Sequence, residues 1–141
     1  MIHDVGIVTE WARTHKKVRY LPKSKRYTPL AAARDVEQTF KVLEGRWKLL
    51  ILFHLFGEKI LRFSELGRAI PAISQKMLIQ QLRQMENDGM VRRIVHHQVP
   101  PKVEYALTDW GQALCPALDA LLKWAALREE MADGVAVASK E

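Results

Sequence analysis

The chain has 141 residues, 48% of them hydrophobic and 27% charged, enough apolar material for one core and too little length for two ordinary domains. Its longest apolar run, Leu49 to Phe56 with His54 inside it, falls short of the roughly 18 residues that a membrane span needs. Residues 1–11 lack the unbroken apolar core of a signal peptide, so a cytoplasmic protein is expected. Cys115 is the only cysteine, which excludes an internal disulfide and a thiolate cluster for zinc.

Lysine and arginine number 22 against 16 acidic residues, giving a net charge of +6. The distribution says more than the total. Arg13, Lys16, Lys17, Arg19, Lys23, Lys25 and Arg26 follow one another without an acid, while the chain beyond Ala33 is nearly neutral. The excess sits on an N-terminal arm, residues 1–33, and favours a polyanionic partner. Val8, Trp11, His15 and Val18 recur there at spacings of three and four, the pattern of a short amphipathic helix that Pro22 would stop. Against this, basic runs of this kind usually stay solvated and unfolded.

The folded domain is expected over residues 34–132, with a frayed small and polar tail over 133–141. Val36, Phe40 and Leu43 mark one face of a helix that starts near Ala32 and stops at Gly45. Trp47 to Phe56 is apolar nearly all round and closed by Gly57, which predicts a central buried helix. Ile60 to Phe63 suits only a brief strand, after which Ser64 can cap a helix running to Ile70. Pro71, Ala72 and Ile73 then make a tight connection, and Ser74 caps a longer helix that Gly89 terminates. Met90 to Val95 and 102–107 form the strands of a hairpin around Pro100 and Pro101, with Val103, Tyr105 and Leu107 alternating against Lys102, Glu104 and Ala106. The adjacent Arg92 and Arg93 leave the first strand's register open. Thr108 opens a last helix carrying Leu114, Leu118, Leu121, Leu122 and Ala125, kinked or restarted at Pro116.

Helix, short turn, helix and hairpin is the layout of a winged helix-turn-helix: mainly α, with a small β wing. At 100° per residue, Leu78, Leu82 and Met85 face the core, while Lys76, Gln80, Arg83 and Gln84 point away, with Gln75 and Ile79 at the near edge. Arg or Lys can read guanine, Gln can read adenine, and an apolar side chain can touch a thymine methyl. The free N–H groups behind Ser74 and Ser64 can hold phosphates, and Arg92 and Lys102 on the hairpin can follow the backbone.

The segments LEGRWKLLILFHL (43–55), RFSEL (62–66), ISQKMLIQQL (73–82), MENDGMV (85–91) and VPPKVEYALT (99–108) together resemble the HxlR-type family of bacterial regulators, related to the MarR group. The resemblance covers about 34–126 and implies a homodimer whose terminal helices pack together and whose reading heads bind a near-palindromic operator of double-stranded DNA. It places Lys76, Ile79, Gln80 and Arg83 in the reading helix and Lys102 in the wing. Arg34 stands where many members carry a redox-sensing cysteine, so that mechanism is not expected. The dimer contact is expected from Val36, Phe40 and Leu43 with Leu118, Leu121, Leu122 and Ala125.

No Gly-rich phosphate loop, paired carboxylates in an evident cleft or nucleophile elbow is legible, so neither an enzyme nor a cofactor is expected, and an unidentified small-molecule effector is left open. The competing reading is a winged helix that docks only proteins, for which aromatic or Met anchors would be needed on the exposed helix face. His96 and His97 point to opposite faces with no carboxylate cluster in view, which argues against a metal. Cys115 lies on an apolar stripe and reads as an inert buried thiol, and Trp47 and Trp124 as core or interface.

Overall fold

The computed structural model describes residues 27–140, with side chains to Gly134. In chain order they form α1 (Pro29–Leu43), α2 (Lys48–Leu55), β1 (Leu61–Arg62), α3 (Phe63–Ala69), α4 (Gln75–Asn87), β2 (Val91–His96), β3 (Lys102–Leu107), α5 (Asp109–Ala113) and α6 (Cys115–Lys140). The amphipathic pattern over 8–18 and most of the basic arm lie outside the described residues. α1 starts three residues earlier than Ala32, inside the segment assigned to the arm. Thr28 caps it, its Oγ1 accepting the Ala31 N–H at 3.2 Å, and Pro29 supplies a pre-set φ in the first turn. α6 continues as helical backbone through Lys140, past Asp133.

Ile51, Leu52, Leu55 and Phe56 are fully buried and meet Leu66 of α3, Leu78, Leu82 and Met85 of α4, and Val91, Tyr105 and Leu107 of the sheet in one cluster. Each such aliphatic side chain contributes about 1.5–3 kcal/mol by leaving water, so this cluster is the main source of stability. α2 is nevertheless not buried all round, because Leu49 and Leu50 face outward. On its inward side the first turn carries Lys48, a lysine only 7% exposed.

The strands form an antiparallel sheet in the order β1–β3–β2. Leu61 pairs with Tyr105 and Arg62 with Glu104; on the other edge Val91 pairs with Leu107, Arg93 with Tyr105 and His96 with Lys102. β1 therefore joins the hairpin as a third strand. The predicted alternation on β3 holds for Tyr105 and Leu107 but not for Ala106, which is also buried.

The hairpin is tied to its neighbours at its root. Gly89, at φ +78°, adopts the left-handed conformation that turns α4 into β2. The Thr108 N–H donates to Met90 O at 3.0 Å and its Oγ1 donates to Gly89 O at 2.6 Å. The same Oγ1 caps α5 by accepting the Gly111 N–H at 3.0 Å. Gly111 must lack a side chain, since a Cβ there would stand 2.3 Å from Met90 O. Gly111→Ala is expected to lower stability by roughly 1–3 kcal/mol through that clash, and Thr108→Ala by about 1 kcal/mol through removal of the cap. Gly134→Ala, where an added Cβ meets nothing, should not lower it. Urea unfolding midpoints at fixed protein concentration check all three.

Candidate nucleic-acid interface

α3, the turn over 71–73 and α4 make the helix-turn-helix. Ile73 is buried and its N–H donates to Ile70 O at 3.2 Å, pinning the turn to the core. Ser74 caps α4 as expected, its Oγ accepting the Met77 N–H at 3.1 Å. With Leu78, Leu82 and Met85 turned inward, Gln75, Lys76, Gln80, Arg83 and Gln84 are exposed and Ile79 is half-buried at their edge. These long side chains line a shallow open cleft along the helix. Lys76, Gln80 and Arg83 form one row spanning about 10 Å at 1.5 Å per residue, on a scale that can follow successive base edges.

Ser64 requires a correction. It is not a cap: α3 begins at Phe63, Arg62 holds the cap position, and the Arg62 N–H donates to Glu65 Oε1 at 2.9 Å. The Ser64 hydroxyl is exposed in the first turn, next to a carboxylate that already serves that helix end. The signal in the sequence is Glu65, three residues after the true cap.

The register divides the wing into two faces. Arg92, Ile94, His96, Lys102 and Glu104 share one; Arg93, Val95, Val103 and Tyr105 share the other. On the first, His96 Nε2 lies 2.5 Å from Glu104 Oε1 and Lys102 Nζ lies 3.7 Å from Glu104 Oε2. A single carboxylate, Glu104, thus accompanies His96, short of a cluster. The hydrogen bond from His96, with the nearby charges of Lys102 and Arg62, holds the Glu104 carboxyl below the usual carboxylate range despite some desolvation. Lys102 is shared with this acid, whereas Arg92 is exposed. On the second face, burial pushes the Tyr105 hydroxyl up, opposed by Arg93 and Arg83, with Glu86 also close. Residues 97–101 at the tip are all exposed. Among the described residues no group of three or more His, Cys, Asp or Glu could hold a metal ion.

The residues assigned to a dimer contact separate. α1 has no buried residue, and Val36 and Phe40 stand in solvent, Phe40 at 55% exposure. Leu43 is half-buried against the core. Leu118, at 5% exposure, belongs to the protomer's own core, so the expectation that it serves a contact between copies fails. Leu121 and Ala125 are exposed and Leu122 is half-buried. The outer face of α6 also carries Trp124, Leu127 and Met131, with Trp124 at 72% exposure. Trp47, by contrast, packs on the core, with the Arg46 guanidinium 4.5 Å from its ring centre.

Cys115 is fully buried, and desolvation, reinforced by Asp119, pushes its thiol up to about 12. Its folded value lies above the ordinary value of 9.0, so its contribution to stability is complete below about pH 9 and disappears as pH rises toward 12. An aromatic disulfide reagent at pH 8 should leave the native thiol unmodified and react at once in urea. Rapid native labelling would contradict the buried placement.

A profile of the HxlR-like helix-turn-helix family matches residues 42–132. In Bacillus subtilis, the uncharacterized HTH-type transcriptional regulator YtcD is 54% identical over 93 residues, 65% of this chain and 72% of its own. The uncharacterized HTH-type transcriptional regulator YybR from the same organism is 42% identical over 104 residues, covering 74% and 82%. Among solved structures, the redox regulator HypR in its reduced form superposes with a TM-score of 0.63 at 41% identity, covering 71% of this chain and 98% of that one. A MarR-family transcriptional regulator from Enterococcus faecalis V583 gives 0.67 at 31% identity, covering 83% and 97%. No helix among the described residues is long and apolar enough to cross a membrane. The chain belongs to the HxlR-like helix-turn-helix family: it is a transcriptional regulator on a winged-helix, MarR-like scaffold.

Proposed function

We propose that the protein is a sequence-specific regulator that binds a near-palindromic operator as a homodimer, with α4 in the major groove. The observation that carries this reading is the face of α4. It is long, polar and basic, it lacks aromatic or Met anchors for a protein partner, and the wing stands beside it. Lys76 and Arg83 are assigned to guanine, Gln80 to adenine and Ile79 to a thymine methyl. Ser74 and Gln75, at the start of α4, fix the helix on a phosphate, and Arg92 and Lys102 follow the backbone. Ser64 is left a backbone contact through its hydroxyl alone.

Footprinting on DNA flanking its own gene tests binding and reports the half-site spacing, expected at one helical turn of roughly 34 Å or a multiple. Arg83→Ala should weaken operator binding by about 1–3 kcal/mol and relax one position. A Lys76, Gln80 and Arg83 triple-alanine chain should lose operator preference altogether. Unchanged operator affinity in that chain would refute the assignment and favour a protein-docking role.

The dimer is proposed through α1 and the outer face of α6, with Val36, Phe40, Leu43, Leu121, Leu122 and Ala125 joined by Trp124 and Leu127. A helix of this length with no buried residue has little reason to hold its place on a lone protomer, and apolar surface on this scale marks an interaction site. Light scattering at micromolar concentration should give twice the chain mass. Leu121→Asp should shift it to monomer and lower stability, because a charge would replace an apolar contact.

A further inference from the structure

α2 begins without a cap. Its cap position is Trp47, whose side chain accepts no hydrogen bond, and the first bond within the helix runs from the Ile51 N–H to Trp47 O at 3.0 Å. The N–H groups of Lys48, Leu49 and Leu50 therefore have no acceptor among the described residues. Lys48 stands in the same first turn at 7% exposure, and among the described residues no carboxylate or carbonyl takes its ammonium. A lysine withdrawn this far from water without a partner costs free energy that a bound anion offsets. Side chains in a helix lean back toward its N-terminus, which brings the Lys48 stem over the free N–H groups. The exposed Arg46 adds a second cation, its guanidinium over the Trp47 ring and 4.5 Å from its centre. Glu44, the nearest acid along the chain, pairs with neither.

This turn lies against the side of the reading helix. A Cβ on Gly45 would stand 3.9 Å from Gln81 Oε1. Gln81 is partly buried on the flank of α4, next to Gln80 in sequence and three residues before Gln84, both of which are exposed. A helix seated in the major groove has a phosphate backbone along its flanks, and a turn beside that helix is placed to meet one.

We propose that residues 45–48, with the first N–H groups of α2, hold a phosphate of the DNA backbone that borders the groove occupied by α4. The inference rests on α4 being the DNA-reading helix. Arg46 and the N–H groups meet the phosphate oxygens, and Lys48 supplies charge from behind them. The duplex is then held at this turn as well as at the wing, and the contact carries no base preference.

The test uses the full chain and a random-sequence duplex of about three helical turns, titrated at several salt concentrations, with urea unfolding of the same proteins. Arg46→Gln and Lys48→Met should each weaken binding severalfold, and the double variant should lower the salt slope by about 0.9 for the one phosphate no longer neutralised. Lys48→Met should not lower the urea midpoint, since it removes an unpaired charge and keeps the stem. A lysine that only supports the fold would give a lower midpoint and an unaltered slope, and that result overturns the site. Arg46 is exposed, so Arg46→Gln decides the matter even where Lys48→Met fails to fold; full affinity and slope in that variant overturn the contact. Inorganic phosphate that broadens its own 31P signal with the unmodified chain but not with the double variant, at an unaltered DNA slope, would make this a free-anion site and overturn the DNA assignment. Failure of the unmodified chain to bind any duplex would overturn this inference together with the proposed function. Duplex binding with an unaltered slope in the double variant would overturn this inference alone.

Discussion

The carbonyl oxygens of Gly89 and Met90 are the point through which the rest of the molecule is oriented. They follow the end of α4, lead into β2 and receive the hydrogen bonds of Thr108 at the end of β3, and the Met90 carbonyl lies against the bare Cα of Gly111 in α5. One turn thus joins α4, the hairpin and the C-terminal helices through backbone groups. A net 0.5–1.5 kcal/mol, roughly, for each such bond is modest, but leaving a buried carbonyl unpaired costs more, and the arrangement admits little adjustment. These ties set the angle between α4 and the hairpin, and with it the relative placement of the side chains that the two elements expose.

Much of this is legible in the sequence because it is local. The spacing of Leu78, Leu82 and Met85, the cap at Ser74 and the stop at Gly89 are decided within α4 itself, and the inward and outward faces follow. The cap at Thr108 is local as well. What the sequence misleads on depends on distant partners or on competing local signals. Ser64 has the chemistry of a cap, but Glu65 satisfies the helix end from inside. The start of the first helix is hard to see because Ala31, Ala32 and Ala33 carry no periodic signal, while Thr28 and Pro29 set the boundary. α2 is so uniformly apolar that its pattern does not distinguish the core-facing Ile51 and Leu55 from the outward Leu49 and Leu50. The tandem Arg92 and Arg93 are equivalent in sequence, and only pairing with β3 gives them opposite surroundings.

The surfaces divide their work by element. α4 and the hairpin present polar and basic groups, whereas α1 and α6 present Val36, Phe40, Leu121, Trp124 and Met131. α6 changes role along its length: Cys115 and Leu118 close the protomer core, and beyond them the apolar residues turn outward. That change explains why Leu118 and Leu121, one turn apart on the same helix, cannot be assigned to the same contact. The buried thiol belongs to the first part, so oxidation chemistry at Cys115 would have to begin with opening of the core.

The tip of the hairpin, residues 97–101, is exposed throughout, with Val99 open on all sides and the nearest tertiary anchor at the His96–Glu104 pair. No core residue depends on what those positions contain. Their length and chemistry are therefore free to drift without a folding penalty, so proteins sharing this scaffold can diverge at the tip while keeping one helix-turn-helix. The same freedom makes the tip the natural place to attach a fluorescent reporter that tests the proposed DNA engagement, uncoupled from the stability of the fold.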